Sequence, residues 1–389
     1  MLPAVLLATL ALFVVSLGYG VVVPLLPDLA GGRAATDEAL LSAVYASYAA
    51  TKIATQVPGG VWVDRAGPER PLRLALVAYV VSLSGFLVGS DLVWFSVVRA
   101  VEGAATGLIY PAAFALALRG ADPAHAGRRL GTMVGLGTAG MLVGPALGGW
   151  LGVDDPRRPV WVALALTMPV LAWALLRRPA PAPAPRAGTV GDEVRRLAHV
   201  ARDLAFVGVA LPIAFNKLTF SSFQGLLPLY GPDHLGVGAR GVTALFVLTG
   251  VAFAGAQPVG GWLADRMGPR RVIGAATLPL LGGLALQRAA DGPWAFAAAY
   301  GLYVASASLV FAATLKHVTV AFGAKDTYGG LFGMVGTLTD LMTVIGPLLF
   351  LNLYAAVGEN IGPWMAACGV PFVLGWARWS GRRPRVHEP

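Results

Sequence analysis

Five ionisable side chains interrupt runs of sequence that are otherwise apolar: Lys52, Arg99, Glu102, Lys217 and Asp340. Each is costly where water cannot solvate it, so each is a functional candidate by default. Glu102 follows Arg99 by three residues, which puts both on one helix face and lets them pair. A cation beside a carboxyl and burial around it push its proton affinity in opposite directions. In such a balance Glu102 is suited to take and release a coupling proton, with Arg99 tuning it; a self-neutralised structural pair is the alternative. Asp340 is the second candidate for the proton, paired with Lys217, or it forms a gate with Lys52. The residues alone do not choose between these. Asn216, beside Lys217, is a candidate ligand contact, and Tyr19, Gln56, Gln224, Tyr300 and Tyr303 are further candidates for lining a polar cavity. His317, next to Lys316, is expected to close a run at its edge, with pH sensing as the other reading.

Other chemistries find no support. A single cysteine, Cys368, excludes an internal disulfide and a cysteine-based metal cluster. There is no phosphate-cradling glycine loop, no HExxH helix and no Ser-His-Asp arrangement in a polar stretch. The expectation is a protein that is not an enzyme and holds no metal or cofactor.

The elements that must position these residues are set by composition. Of 389 residues, 56% are hydrophobic and 13% charged, against about 25% charged in soluble domains. So few charges cannot cover a water-exposed surface of this size. The apolar residues come in runs of about 20, the length that spans a bilayer. The formal net charge of +9 does not indicate nucleic acid, because the basic residues sit in short gaps between apolar runs. The first run, 2–27, lacks a basic leader and is too long for a signal peptide core, so it reads as a first span. Twelve spans are expected, at 3–27, 38–63, 71–90, 92–118, 128–152, 159–177, 204–230, 241–264, 272–290, 293–315, 327–357 and 361–378. With the N-terminus inside, twenty-one Lys and Arg fall on the cytoplasmic side and five on the other. That bias predicts both termini in the cytoplasm. The Ala-Pro stretch 179–191 is a semi-rigid spacer. The charged stretch after it, 192–203, is expected to form a surface helix with Val194, Leu197 and Val200 on one face. The organisation expected is an N-terminal six-helix bundle (1–178), a cytoplasmic linker (179–203) and a C-terminal six-helix bundle (204–389).

The halves repeat. Residues 56–70, QVPGGVWVDRAGPER, and 257–271, QPVGGWLADRMGPRR, match at eight of fifteen positions with an offset of 201. Gly144-Pro145 returns as Gly346-Pro347 at an offset of 202. Repeats about an axis along the membrane normal are a known transporter design, with the site near the midplane. In both copies an Asp stands where a helix meets a loop. From there it can accept hydrogen bonds from the N-terminal amides of a neighbouring helix, where the dipole favours an anion. In the fifth span Gly140, Gly144 and Gly148 form a stripe at spacing four, kinked by Pro145. It offers a smooth face for tight packing against a neighbour in the other half.

These residues resemble the motifs of the major facilitator superfamily, most closely its twelve-span drug:proton antiporters. Gly60, Asp64, Arg65, Gly67 and Arg70, with Gly261, Asp265, Arg266, Gly268, Arg270 and Arg271, look like two copies of its motif A. Arg99-Ala-Val-Glu-Gly103-Ala-Ala-Thr-Gly107 is similar to motif B, the Gly140–Gly149 stretch to the antiporter motif C, and Gly20-Val-Val-Val-Pro24-Leu-Leu-Pro27 to the end of its first span. The resemblance implies an all-α membrane protein of twelve helices in two pseudo-symmetric bundles, working by alternating access. It implies that Asp64, and by extension Asp265, helps lock one state, and that the fifth-span stripe is an antiporter gate. The implied activity is proton-coupled export of drug-like or amphipathic molecules from a bacterial inner membrane. The partners implied are a small-molecule substrate, protons and the lipid bilayer, with the chain acting as a monomer. One departure opens an alternative. No acid precedes Asp28 in the first span, and three in-span cations face two acids. That balance suits an anionic or zwitterionic metabolite, siderophore or lipid; a uniporter is the remaining reading.

Overall fold

A computed structural model of the chain describes residues 2–30, 38–89, 91–178, 189–323 and 327–382. The Ala-Pro spacer from 179 to 188, Arg33, Lys325, Arg383 and Arg385 lie outside the described residues. Thirteen α-helices follow in order: α1 (Leu2–Leu29), α2 (Glu38–Ala66), α3 (Glu69–Val88), α4 (Leu92–Leu118), α5 (Ala126–Leu151), α6 (Arg158–Leu176), α7 (Val190–Arg202), α8 (Leu204–Leu235), α9 (Ala239–Met267), α10 (Pro269–Leu286), α11 (Pro293–Phe322), α12 (Tyr328–Val357) and α13 (Ile361–Trp379). No strand occurs among the described residues. Twelve of these helices have 18 or more residues and coincide with the twelve expected spans. Only α7 is shorter.

Large apolar side chains cover the outer surfaces, including Leu74, Val81, Val97, Trp161, Leu278, Leu348 and Leu374. Exposure of this kind along whole helices requires lipid as the solvent. Ten stretches are long and apolar enough to cross a membrane, one of which joins α12 and α13. Helix α2 falls short because Thr51, Lys52, Thr55, Gln56, Asp64 and Arg65 lower its hydropathy.

Local chemistry ends the helices where it should. Asp91 caps α4 by accepting from the Trp94 amide at 2.8 Å, and Asp203 caps α8 through the Ala205 amide at 2.9 Å. The repeated motif glycines Gly67 and Gly268 have φ of 79° and 88°. A side chain would be strained in those turns.

The helices cluster into two compact units. The first holds Met1–Ala121, Leu136–Leu197 and Ala324–Thr337; the second holds Asp122–Gly135, Ala198–Gly323 and Leu338–Pro389. The start of α5 therefore belongs to the second unit and the start of α12 to the first. Inside the first unit α2 and α4 pack closely because glycines leave room. Gly103 faces the Tyr48 carbonyl, Gly107 faces Lys52, and Gly59 meets Leu108. The second unit repeats the last contact between α9 and α11, with Gly260 against Leu309.

Three expectations are corrected. Helix α11 does not stop at 315 but runs to Phe322, because Val318, Val320, Ala321 and Phe322 extend its apolar pattern. Lys316 and His317 are thus buried helix residues rather than edge residues. The glycine stripe of α5 finds its partner in α1 of the same half: Gly140 abuts Phe13 and Leu17, and Gly144 abuts Leu17 and Gly20. Small residues on α1 supply the matching smooth surface. On α7 the buried pair is Glu193 and Leu197, while Val194 is exposed. An ion pair to Arg65 draws Glu193 inward in place of the valine.

Candidate functional site

The ionisable group of the first unit is built on α4. Arg99 and Glu102 are 1% and 0% exposed, and Arg99 Nη1 donates to Glu102 Oε2 at 2.7 Å. The i,i+3 spacing on a continuous helix makes this contact inevitable once both side chains turn inward. The guanidinium lies over the Tyr48 ring at 4.2 Å and the Tyr19 ring at 5.3 Å, and those two rings are 5.3 Å apart. Thr106 Oγ1 reaches the Tyr48 hydroxyl at 3.3 Å. Glu102 Oε1 and Arg99 Nε have no hydrogen-bond partner among the described residues. A buried carboxylate oxygen without a donor is costly, so the site has room for one further hydrogen-bond donor there. One turn along α2, Lys52 Nζ stands 4.7 Å from the Tyr110 ring and 5.9 Å from Tyr48. Tyr19, Tyr48, Lys52, Arg99, Glu102 and Tyr110 therefore form one polar-aromatic nest inside the first unit.

The second unit holds the other candidates. Lys217 Nζ lies 5.0 Å from the Phe311 ring. Asn216 is buried and donates to the Ala307 carbonyl at 2.6 Å, which ties α8 to α11. Tyr303 donates to Thr219 Oγ1 at 2.9 Å, and Tyr300 stacks among Phe223, Phe296 and Tyr303. Gln224 is exposed, and Asp340 is half-buried on α12. Gln56, on α2 of the first unit, is buried where its backbone meets Gly333.

At the α2–α3 end, Asp64 accepts from the Gly329 and Gly330 amides at 2.7 and 2.8 Å, which are the first free N–H groups of α12. Gly60 lets the two backbones touch, since a Cβ there would strike Gly329. Leu197 of α7 covers Gly330, and Glu193 of α7 lies 3.9 Å from Arg65. At the α9–α10 end the second unit repeats the arrangement. Asp265 accepts from the Gly127 and Arg128 amides at the start of α5, at 2.9 and 2.7 Å, and Gly261 abuts Gly127. Lys316 is added here: its Nζ is 2.6 Å from Asp265 Oδ1.

The sequence indicates both aspartates and the kind of partner each meets, the amides at a helix start, but not which helices supply them. Gly127, Gly131 and Gly135 on α5, and Gly329 and Gly333 on α12, recur at spacing four and correspond at an offset of 202. That spacing was the available signal. Lys316 was missed because it was placed in a loop.

A sequence model of the Major Facilitator Superfamily matches residues 8–347 and, overlapping, 213–389. The chain belongs to the major facilitator superfamily. Its transporters are built as multi-pass membrane proteins, as this one is. Among its relatives, the tetracycline resistance protein, class E, of Escherichia coli is 26% identical over 385 residues, covering 94% of this chain and 92% of that protein. The quinolone resistance protein NorA of Staphylococcus aureus is 25% identical over 250 residues, covering 63% of this chain and 62% of NorA. The crystal structure of the human organic anion transporter MFSD10 superposes with a TM-score of 0.82 at 18% identity, covering 96% of this chain and 98% of that one. That likeness extends the family's fold over essentially the whole chain.

Proposed function

We propose that this superfamily member is a proton-coupled exporter of drug-like or amphipathic small molecules. In this reading it works as a monomer by alternating access in a bacterial cytoplasmic membrane, with both termini in the cytoplasm and the proton gradient as its energy source. The names of the tetracycline and quinolone resistance relatives support export. The observation that carries the coupling is the Arg99–Glu102 pair. Glu102 is wholly buried, is held by one hydrogen bond, and has one oxygen without a donor. When Glu102 takes a proton, Arg99 keeps the faces of Tyr48 and Tyr19, worth about 2 kcal/mol when desolvated. The guanidinium is therefore not stranded by the loss of its counter-ion. Protonation then biases one conformation and substrate the other. Asp340 is the alternative carrier. The two are separated by Glu102→Gln and Asp340→Asn in proteoliposomes bearing a pH gradient. The variant that loses uphill export and keeps downhill flux has lost the proton carrier; full uphill export by both would sink the reading.

A second reading concerns the substrate. Lys52, Arg99 and Lys217 each stand against an aromatic ring. Cations presented with flat rings suit an anionic or zwitterionic aromatic molecule. Proton movement on adding a panel of lipophilic cations, anions and zwitterions separates the readings. A signal from cations alone favours the first, and a signal from anions or zwitterions alone favours the second.

A further inference from the structure

A cavity of about 470 Å³ opens between α2, α3 and α4 of the first unit. Its walls are almost wholly carbon, from Pro58 and Trp62 on α2, Leu74 and Ala78 on α3, and Ala104 and Leu108 on α4. Trp62 and Leu74 are exposed on the surface that lipid must cover. A groove in such a surface does not stay empty, and in a bilayer its filling is an acyl chain.

The charges at the α2–α3 end are almost all committed. Arg65 faces Glu193 at 3.9 Å. Glu69 holds Arg119 at 2.7 and 2.8 Å. Arg73 donates to the Ala174 carbonyl at 2.7 Å and to the Arg177 carbonyl, at the end of α6. Arg70 is exposed and makes no hydrogen bond or ion pair among the described residues. Arg70, Leu74 and Ala78 recur every fourth residue on α3, so they share one stripe. Arg70 stands one turn beyond Leu74, at the mouth of the groove. Long side chains on a helix lean toward its N-terminus, here away from the apolar walls and toward the headgroups.

We propose that this groove is a binding site for one anionic phospholipid, its acyl chain between α2, α3 and α4 and its phosphate on Arg70. The chain itself decides little, because lipid tails are as apolar as the groove and only packing is gained. Selection rests on the headgroup. A guanidinium binds two phosphate oxygens at once, whereas an ethanolamine headgroup brings its own cation and weakens the pairing.

The test is native mass spectrometry of the whole purified protein with phosphatidylglycerol and phosphatidylethanolamine supplied at equal concentration. One phosphatidylglycerol is expected to be retained with about fivefold preference, equivalent to ~1 kcal/mol for one arginine near an anionic surface. Arg70→Gln should erase the preference, and Arg70→Lys, which keeps the charge and loses the two-oxygen grip, should retain only part of it. Ala78→Phe or Ala104→Phe should fill the groove and lower the lipid retained. Arg271→Gln, the corresponding arginine of the repeat, should change nothing. Undiminished preference in Arg70→Gln, undiminished retention in a groove-filled variant, or capture of detergent or a lipophilic compound in place of lipid would overturn the proposal. If a groove-filling variant misfolds, the contrast between Arg70→Gln and Arg70→Lys decides alone. None of these readouts depends on transport.

Discussion

Removing the charge of Asp64 should loosen the start of α12 by an amount its geometry sets. One carboxylate, buried with its helix end, accepts two backbone amides at 2.7 and 2.8 Å. Hydrogen bonds to a charged group contribute roughly 1.5–3 kcal/mol and neutral ones about 1 kcal/mol. In Asp64→Asn one oxygen still accepts from one amide, but as a neutral bond. The new NH₂ group faces the other amide, donor to donor, and the favourable charge at the helix N-terminus is gone. The expected loss is about 2–3 kcal/mol, or roughly 30- to 150-fold in the local opening equilibrium. Hydrogen exchange followed by mass spectrometry reads this directly in peptides covering the start of α12, and Asp265→Asn should do the same to the start of α5. Unchanged exchange at Gly329 and Gly330 in Asp64→Asn would refute the account, since the two amides would then owe their protection to something else.

Further outcomes follow from neighbouring contacts. Lys316→Ala leaves Asp265 held by the two α5 amides alone and should lower stability by about 2 kcal/mol, while the double variant Lys316→Met/Asp265→Asn loses less than the sum of the singles, as thermal unfolding in detergent would show. Gly60→Ala drives a Cβ into Gly329 and should abolish that contact, whereas Gly255→Ala meets open space and should be silent; monodispersity and melting temperature compare the two. Thr189 donates its backbone N–H and its hydroxyl to Asp192, holding that carboxyl below its ordinary range. A lowered folded value means the contribution is complete above the usual carboxylate range and is lost as pH falls through it. Amide protection at the start of α7 should therefore hold at pH 5 and above and fall only below about pH 4.

Much of the fold was legible because lipid imposes a simple code. Runs of about 20 apolar residues must be helices, and their number and order survive intact from α1 to α13. Asp64 and Asp265 were legible because the motif occurs twice. What the runs do not encode is which neighbour a face meets. The α5 glycine stripe was assigned to the other half and lies on α1, because small residues at Gly20 match it as well as any distant partner would. Lys316 was counted with the loops because a lysine ordinarily ends a span. The approach of Asp265, helped by the Ala124 carbonyl at 3.3 Å, makes its burial tolerable, and these contacts span 51 and 192 residues. Val194 and Glu193 exchanged expected places for a similar reason: hydrophobic periodicity predicts the valine, and a long-range ion pair to Arg65 overrides it.

The two copies of the aspartate contact share a backbone plan and differ in their charge. Gly60 with Gly329 and Gly261 with Gly127 correspond within a residue, and so do the amides each aspartate engages. The position one repeat before Lys316, however, is Ala115. The second aspartate thus carries a lysine that no residue supplies at the equivalent place in the first half. The first is covered by Leu197 and flanked by the Glu193–Arg65 pair of α7. Opening the second contact must separate a buried ion pair, while opening the first must lift an apolar cover from a carboxylate. A buried ion pair is little screened by salt, whereas the cost of exposing Leu197 grows with salts that strengthen burial, such as sulfate. Sulfate should therefore tighten the start of α12 more than the start of α5, while chloride at equal ionic strength should move neither far, and peptides from α5 and α12 in one exchange experiment would report both.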